Sequence, residues 1–342
     1  MKRFHLAAFF FLAPFSAQAG DVSIGVLGLF HPREIVVAPR AGHVLECLAG
    51  GKRWTVTAPL RLRLEGSGAR IILDDNAAPV PAVRCDDGQN GPAEFSVAVP
   101  EKISRRYAGK LEVEAQRREL LITVKMEMET AVASVVAAES PPDAPMEALK
   151  AQAVAARSFL AAGKGRHHGF DFCDTTHCQF LRESPKSGSP AARAAAETSG
   201  MVLAYRDEVF AAMYSASCGG RTHSLEELGI PVRDYPYFAV PCEYCHRHPE
   251  RWVAALSAED AASLKGTESS RLKLARKLGW QTVPSNSYAT HRQGDLVLVK
   301  GTGSGHGIGL CERGALDMAR QGAQFQEILA HYYPNTAVKQ LP

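Results

Sequence analysis

Between Glu129 and Phe159 the chain reads ETAVASVVAAESPPDAPMEALKAQAVAARSF, two apolar, alanine-rich stretches separated by Pro141-Pro142. A proline pair stops a helix, so the run must fold as two helices with a break between them. In the second stretch Asp143 is placed to cap, Pro145 suits a first turn, and Leu149, Ala153, Ala156 and Leu160 recur near a 3.6-residue period. Their small side chains imply close packing against a neighbour. Glu139 ends the first stretch, where unpaired carbonyls and apolar surroundings both disfavour negative charge and raise a carboxyl pKa. A carboxyl kept protonated near neutrality is a candidate general acid, although a glutamate at a helix end is also a common solvated boundary residue.

The chain has 342 residues, enough for about two domains that bury cores without relying on disulfides. Residues 1–19 carry Lys2 and Arg3, an apolar run from Leu6 to Phe15 and an Ala17-Gln18-Ala19 ending, the pattern of a secretory signal peptide. The expectation is export across the cytoplasmic membrane to a periplasm or cell wall, with no later segment apolar enough to span a bilayer. Without Lys2 and Arg3 the formal charge falls from +3 to +1, that is 37 basic minus 36 acidic residues. Basic residues are interspersed with acidic ones, which argues against a nucleic-acid partner.

From Val22 to about Arg118, short β-rich runs alternate with turns, the pattern of an antiparallel β module whose two cysteines, Cys47 and Cys85, are placed to pair. A further strand-like run from Leu120 to Met128 precedes the alanine-rich stretches. Later helix-like segments run from Pro190 to Ser199, Ala258 to Leu264, Glu268 to Leu278, Glu312 to Gln321 and Phe325 to Tyr332. Strands are expected at Met201 to Tyr205, Val209 to Tyr214 and Asp295 to Val299. Strands and helices do not alternate strictly, so the fold class is α+β. The expected division is a signal peptide (1–19), a β-rich N-terminal module (20–118) and a mixed α+β catalytic domain (119–342).

Three clusters carry chemistry. His167, His168, Cys173, His177 and Cys178 fall within GRHHGFDFCDTTHCQF, and four of them make the two-thiolate, two-imidazole set of a tetrahedral zinc site. The alternative is a Cys173 to Cys178 disulfide with incidental histidines. Cys242-Glu-Tyr-Cys245 lacks a thioredoxin-like context, so with Cys218 and Cys311 it reads as two disulfides or one disulfide and two thiols, a four-thiolate zinc site being secondary. The third is GTGSGHGIGLCERG (301–314), which has neither a phosphate-loop Lys-Ser/Thr nor a G-x-S-x-G elbow. It reads as a tight turn presenting His306 and backbone N–H groups to a sugar or oxyanion, or as a packed strand-to-helix turn. A cysteine peptidase using Cys311 and His306 is disfavoured by their closeness on one turn and by the lack of an orienting Asp or Asn.

The segments ASVVAAESPPDAPMEALKAQAVAARSF (133–159), CDTTHCQ (173–179), YSASCGGRT (214–222) and GSGHGIGLCERGALDMA (303–319), in this order, resemble the stage II sporulation protein D (SpoIID) family of peptidoglycan lytic transglycosylases and amidase enhancers. The resemblance covers about 120–333 and implies Glu139 as catalytic acid. It also implies a structural zinc on His167, Cys173, His177 and Cys178, with no organic cofactor. Two departures stand out: Cys311-Glu312 where the family commonly has Ser-Gln, and Cys218-Gly219-Gly220 where it commonly has Ser-Gly-Gly.

The implied substrate is the glycan strand of peptidoglycan stripped of stem peptides, cleaved between N-acetylmuramic acid and N-acetylglucosamine to leave 1,6-anhydro ends. One acid/base carboxyl suffices for that reaction, and no second carboxylate is expected beside Glu139. His306, Arg157, Ser217 and Thr222 are the candidate polar groups of the cleft, Arg157 equally reading as a buried partner for a carboxylate. The alternative function is a non-catalytic peptidoglycan-binding protein that enhances a cell-wall amidase.

Overall fold

The structure, a computed structural model, describes residues 20–66, 68, 70–73, 79–89, 91–116 and 118–341. The signal-peptide segment 1–19 lies outside the described residues.

Alternation of apolar and polar residues builds the first half. Leu60–Leu64 reads LRLRL, with its leucines buried and its arginines exposed, the two-residue period of a sheet with one wet face. The large sheet runs in the order Phe172–Cys173, Val22–Gly25, Glu119–Met126, Ile103–Gln116, Ala93–Val99, Glu34–Pro39, Leu60–Leu64 and Ile71–Leu73. The long strand Ile103–Gln116 pairs Ala93–Val99 along its first half and both Glu119–Met126 and Ala82–Asp86 along its second. Ala82–Asp86 in turn pairs Leu45–Ala49, where Cys47 faces Cys85 in register and the two are bonded as a disulfide. The boundary expected at residue 118 falls in the turn of a hairpin whose strands pair on both sides. The sheet also recruits Phe172–Cys173, parallel to Ile24 and Gly25.

Eight α-helices follow among the described residues: α1 (Met128–Glu139), α2 (Met146–Ala162), α3 (Pro190–Glu197), α4 (Glu243–Arg247), α5 (Ala258–Ser263), α6 (Glu268–Leu278), α7 (Glu312–Arg320) and α8 (Phe325–Tyr332). The fold class is α+β, as expected. The proline break separates α1 from α2, but Asp143 does not cap α2. The helix starts after Pro145, and Asp143 stays on the surface with its carboxylate 3.6 Å from Arg320.

Helix α2 is buried on all sides from Ala151 to Leu160. Leu149, Ala153, Ala156, Phe159 and Leu160 pack into the core under the large sheet. Ala151, Val154 and Ala155 pack into a second core with Leu203, Phe210, Tyr235, Ile308 and Tyr333. Alanine at these positions lets backbone approach backbone on both faces at no side-chain entropy cost.

Beyond α2, Met201–Tyr205 pairs Glu208–Val209 and Ala337–Gln340. The strand expected from Val209 to Tyr214 divides. Its end, Tyr214–Ser215, leaves to pair in parallel with Leu310–Cys311. A three-stranded antiparallel sheet of Arg251–Ser257, Leu296–Thr302 and Ser287–Gln293 packs on α5 and α6 around Leu256, Leu274, Val283 and Val299. Among the described residues no helix is long and apolar enough to cross a membrane.

Candidate active site

Glu139 is the last residue of α1 and lines a narrow groove, whose enclosed part measures only about 10 Å³, with Ser140, Gln152, Leu310, Glu312 and Leu316. The residue is half-buried, and its carboxyl end is enclosed by protein. Its Oε1 accepts the Phe180 N–H at 2.9 Å and its Oε2 accepts the Tyr214 hydroxyl. Burial pushes the carboxyl up to about 7, and the Tyr214 and Phe180 donors, which favour the anion, hold it from rising further. The direction is the one expected of a glutamate at this helix end, and its cause is desolvation.

A second carboxylate shares the groove, which corrects the expectation that Glu139 stands alone. Glu312 begins α7, and burial followed by the charge of Glu139 raises its carboxyl to about 8. Gln152 lies between them: it accepts a hydrogen bond from Ser140, which follows Glu139, and its amide approaches Glu312 Oε1 at 3.5 Å. In the sequence Glu312 stood out only as half of a departure from the family pattern. A glutamate in the first turn of a helix normally complements the dipole and draws no attention. Tyr214 and Gln152 were inside quoted motifs without an assigned role, and nothing local distinguishes them from packing residues.

His306 sits behind Tyr214 rather than among the residues lining the groove. Its Nδ1 accepts the Ile308 N–H at 3.0 Å, so in the neutral ring Nε2 carries the proton. Burial lowers its pKa to about 4, opposed by nearby Glu268 and by the Tyr214 backbone. The turn that carries it needs its glycines. At Gly309, φ is +69° and a Cβ would lie 2.0 Å from the Met213 carbonyl oxygen. At Gly303 one would lie 2.5 Å from that of Ser217.

The remaining cleft candidates lie elsewhere. Arg157 is fully buried, with Nε 2.8 Å from Glu129 Oε1, Nη2 also on Glu129, and further donors on the carbonyls of Met201 and Ala195 at 3.0 and 3.1 Å. It is a fastener between α1, α2, α3 and the next strand, the second of the two readings its sequence allowed. Thr222 is buried and its hydroxyl joins the Phe238 carbonyl to the Val240 N–H. Ser217 is buried with its hydroxyl 3.6 Å from Cys245 Sγ.

His167, Cys173, His177 and Cys178 come together, with one ligand atom from each lying within 4.8 Å of all the others. His167 Nε2 is 3.2 Å from Cys178 Sγ, and His177 Nδ1 is 3.6 and 3.8 Å from Cys178 and Cys173 Sγ. Hydrogen bonds from Cys178, Thr175 and His177 lower the pKa of the Cys173 thiol, favouring a thiolate there. Both thiols are free, so the disulfide alternative is not what the structure contains. His168 is exposed and outside the group. The donor set and spacing fit a closed S2N2 tetrahedral site. The loop is pinned to the segment after the first strand and to the strand Ile103–Gln116, since Asp174 accepts the Leu27 N–H at 2.9 Å and Arg105 at 2.8 Å. Two residues past Cys178, the same loop delivers the Phe180 N–H to Glu139.

A cavity of about 810 Å³ lies between the large sheet and α1 and α3, lined by Arg40, Tyr107, Glu129 and Lys186. It contains neither groove carboxylate.

Residues 116–205 match the SpoIID family model, described as "Stage II sporulation protein". An uncharacterized protein of Brachyspira hyodysenteriae is 30% identical over 262 residues, covering 66% of this chain and 70% of that protein. The "Stage II sporulation protein D" of Bacillus amyloliquefaciens is 25% identical over 258 residues, 62% of this chain and 74% of its own. That of Bacillus subtilis is 24% identical over the same length and shares. The matched residues contain α1, the proline break, α2 and the four clustered metal-ligand candidates, and on these grounds the chain belongs to the SpoIID family.

Proposed function

We propose that the protein is an exported lytic transglycosylase that cleaves the bond between N-acetylmuramic acid and N-acetylglucosamine in peptide-free glycan strands, with Glu139 as general acid and then base. The observation that carries the reading is a carboxyl raised to about 7 in a groove, with two donors already aimed at the anion it becomes. Protonated Glu139 gives its proton to the bridging oxygen as positive charge develops at muramyl C1. The Phe180 N–H and Tyr214 hydroxyl hold the resulting carboxylate. That carboxylate takes the proton of the muramyl C6 hydroxyl as its oxygen attacks C1, closing the 1,6-anhydro ring. Proton transfer of this kind supplies about 10²- to 10⁴-fold, so charge stabilisation and positioning provide the rest.

Glu312, held up to about 8, is uncharged when Glu139 first ionises, so the groove never has to hold two negative charges at neutral pH. His167, Cys173, His177 and Cys178 are read as ligands of a structural zinc ion. That ion would supply a cross-link holding the loop that presents the Phe180 N–H, with no position open to substrate.

Digestion of peptide-free glycan strands, with mass analysis of the ends, tests the reading. The wild type should release anhydro-ended products, and Glu139→Gln should lose at least 10²-fold of the rate while still binding glycan. Reducing ends one water heavier would make the Glu139 and Glu312 pair a hydrolase. Glycan binding with no cleavage by the wild type would leave the amidase-enhancer reading. Full cleavage by Glu139→Gln would dismiss Glu139 as the acid.

A further inference from the structure

Four cysteines that the proposed reaction does not use meet in one place. Cys218 lies in the loop after Tyr214–Ser215, Cys242 and Cys245 flank the first turn of α4, and Cys311 ends the short strand before α7. All four are free, and at most 2% of the surface of any one is exposed. Their Sγ atoms lie within 4.8 Å of one another, with Cys245 and Cys311 at 3.5 Å.

We propose that Cys218, Cys242, Cys245 and Cys311 form a second metal site, a closed tetrathiolate that takes a divalent zinc ion. A tetrahedron with Zn–S bonds of about 2.3 Å has sulfur-to-sulfur edges of about 3.8 Å, close to the spacing here. Disulfides join sulfurs in twos and require no relation between one pair and the other. Mutual proximity of all four from three separate segments is what a single central ion requires. The pair on adjacent strands, Cys47 and Cys85, is by contrast bonded. Binding needs no oxidant: four thiols release four protons to solvent and a dication takes their place, leaving a net charge of −2.

The surroundings suit that charge. The Cys218 N–H points to Cys311 Sγ at 3.4 Å, the Tyr332 hydroxyl lies 3.5 Å from Cys242 Sγ, and the Ser217 hydroxyl lies 3.6 Å from Cys245 Sγ. Cys311 is also the N-cap of α7, whose dipole favours a thiolate. Donors of this kind around metal-bound sulfur orient the ligands and spread their charge. Complete burial leaves no open coordination position, so the ion is structural. It ties α4 to the paired strands Tyr214–Ser215 and Leu310–Cys311, of which the first carries Tyr214 to Glu139 and the second leads into Glu312 at the start of α7.

The test reads metal, not cleavage, so its failure and that of the proposed reaction are separate. The mature chain is purified without chelator or reductant, its zinc counted by plasma mass spectrometry, and its disulfides mapped by non-reducing peptide analysis. His167→Ala with His177→Ala removes the other cluster's imidazoles, and this folded variant should retain about one zinc per chain. Cobalt substituted into it should show the strong thiolate charge-transfer absorption of a tetrahedral sulfur site. Cys242→Ser with Cys245→Ser should lose about one zinc relative to wild type. If that variant does not fold, the histidine variant still decides. A folded histidine variant with no zinc and no cobalt signal would overturn the proposal. So would disulfides among these four cysteines in the fresh wild type.

Discussion

Glu139, the last residue of α1, and Glu312, the first of α7, face one groove from opposite helix polarities. A helix N terminus favours a negative side chain by about 0.3–1 kcal/mol, yet Glu312 is raised further than Glu139, to about 8 against about 7. Burial outweighs the dipole. The two carboxyls are coupled, the charge of Glu139 being the second cause that raises Glu312, so the pair loses its protons in two steps rather than together.

The raised Glu139 carboxyl sets the pH profile. Cleavage should fall as pH rises through about 7, where Glu139 loses the proton it must donate. Glu312→Gln replaces one neutral group with another in this range, so the alkaline limb of its rate profile should stay in place. A limb displaced by about a full pH unit in that variant would mean that the two carboxyls ionise in the other order.

Tyr214→Phe removes a hydroxyl that stabilises the Glu139 anion. A hydrogen bond to a charged group is worth about 1.5–3 kcal/mol, so the alkaline limb should move up by about one pH unit or more. Cleavage at its new optimum should slow by about tenfold, because the carboxylate formed on proton transfer has lost a donor. Rate profiles of the two proteins on the same glycan check both.

Stability should fall with pH across the same range. Both carboxyls have folded pKa values above the unfolded value of 4.5, so the native state binds more protons than the unfolded chain between them. Their contribution is complete below about 4.5 and is lost as pH rises through about 7 for Glu139 and about 8 for Glu312. For Glu139 the difference amounts to on the order of 3 kcal/mol. Urea unfolding at pH 5 and pH 8 should show the decline in wild type and a smaller one in Glu139→Gln.

Arg157→Met should destabilise without touching the chemistry. It leaves the Glu129 carboxylate with only the Gly200 N–H and removes a donor from three carbonyls, and breaking such a pair costs about 3–5 kcal/mol. Denaturant melts should register that loss. Turnover per folded molecule and KM should stay at wild-type values.

Elements with strong local signals were legible in the chain. Met201–Tyr205, α6 and α8 fall on the ranges expected of them, and Thr267 closes a capping box with Ser270 at the start of α6. Strands without such signals were not. Leu45–Ala49 and Ala82–Asp86 are short and mixed in polarity, and they exist because each has a partner across the sheet. The same division holds in the groove. Glu139 was visible because a proline break marks the end of its helix, and the candidate metal ligands His167, Cys173, His177 and Cys178 because they are close in sequence. Glu312 and Tyr214 come from segments 75 and more residues away, and only the parallel pairing of Tyr214–Ser215 with Leu310–Cys311 brings them to Glu139. Arg157 had two readings, and only its burial decides between them.

With the alanines of α2 enclosed by two cores at once, that helix has no free side on which to accommodate growth. Enlarging Ala155 would press on the second core, and the helix could yield only by displacing α1 or α3, which pack against it. Overpacking of about 1–3 kcal/mol would then reach Gln152, three residues earlier, and with it the spacing of the two acids. The least reactive side chains of the molecule thus set the tolerance within which its most reactive ones are held.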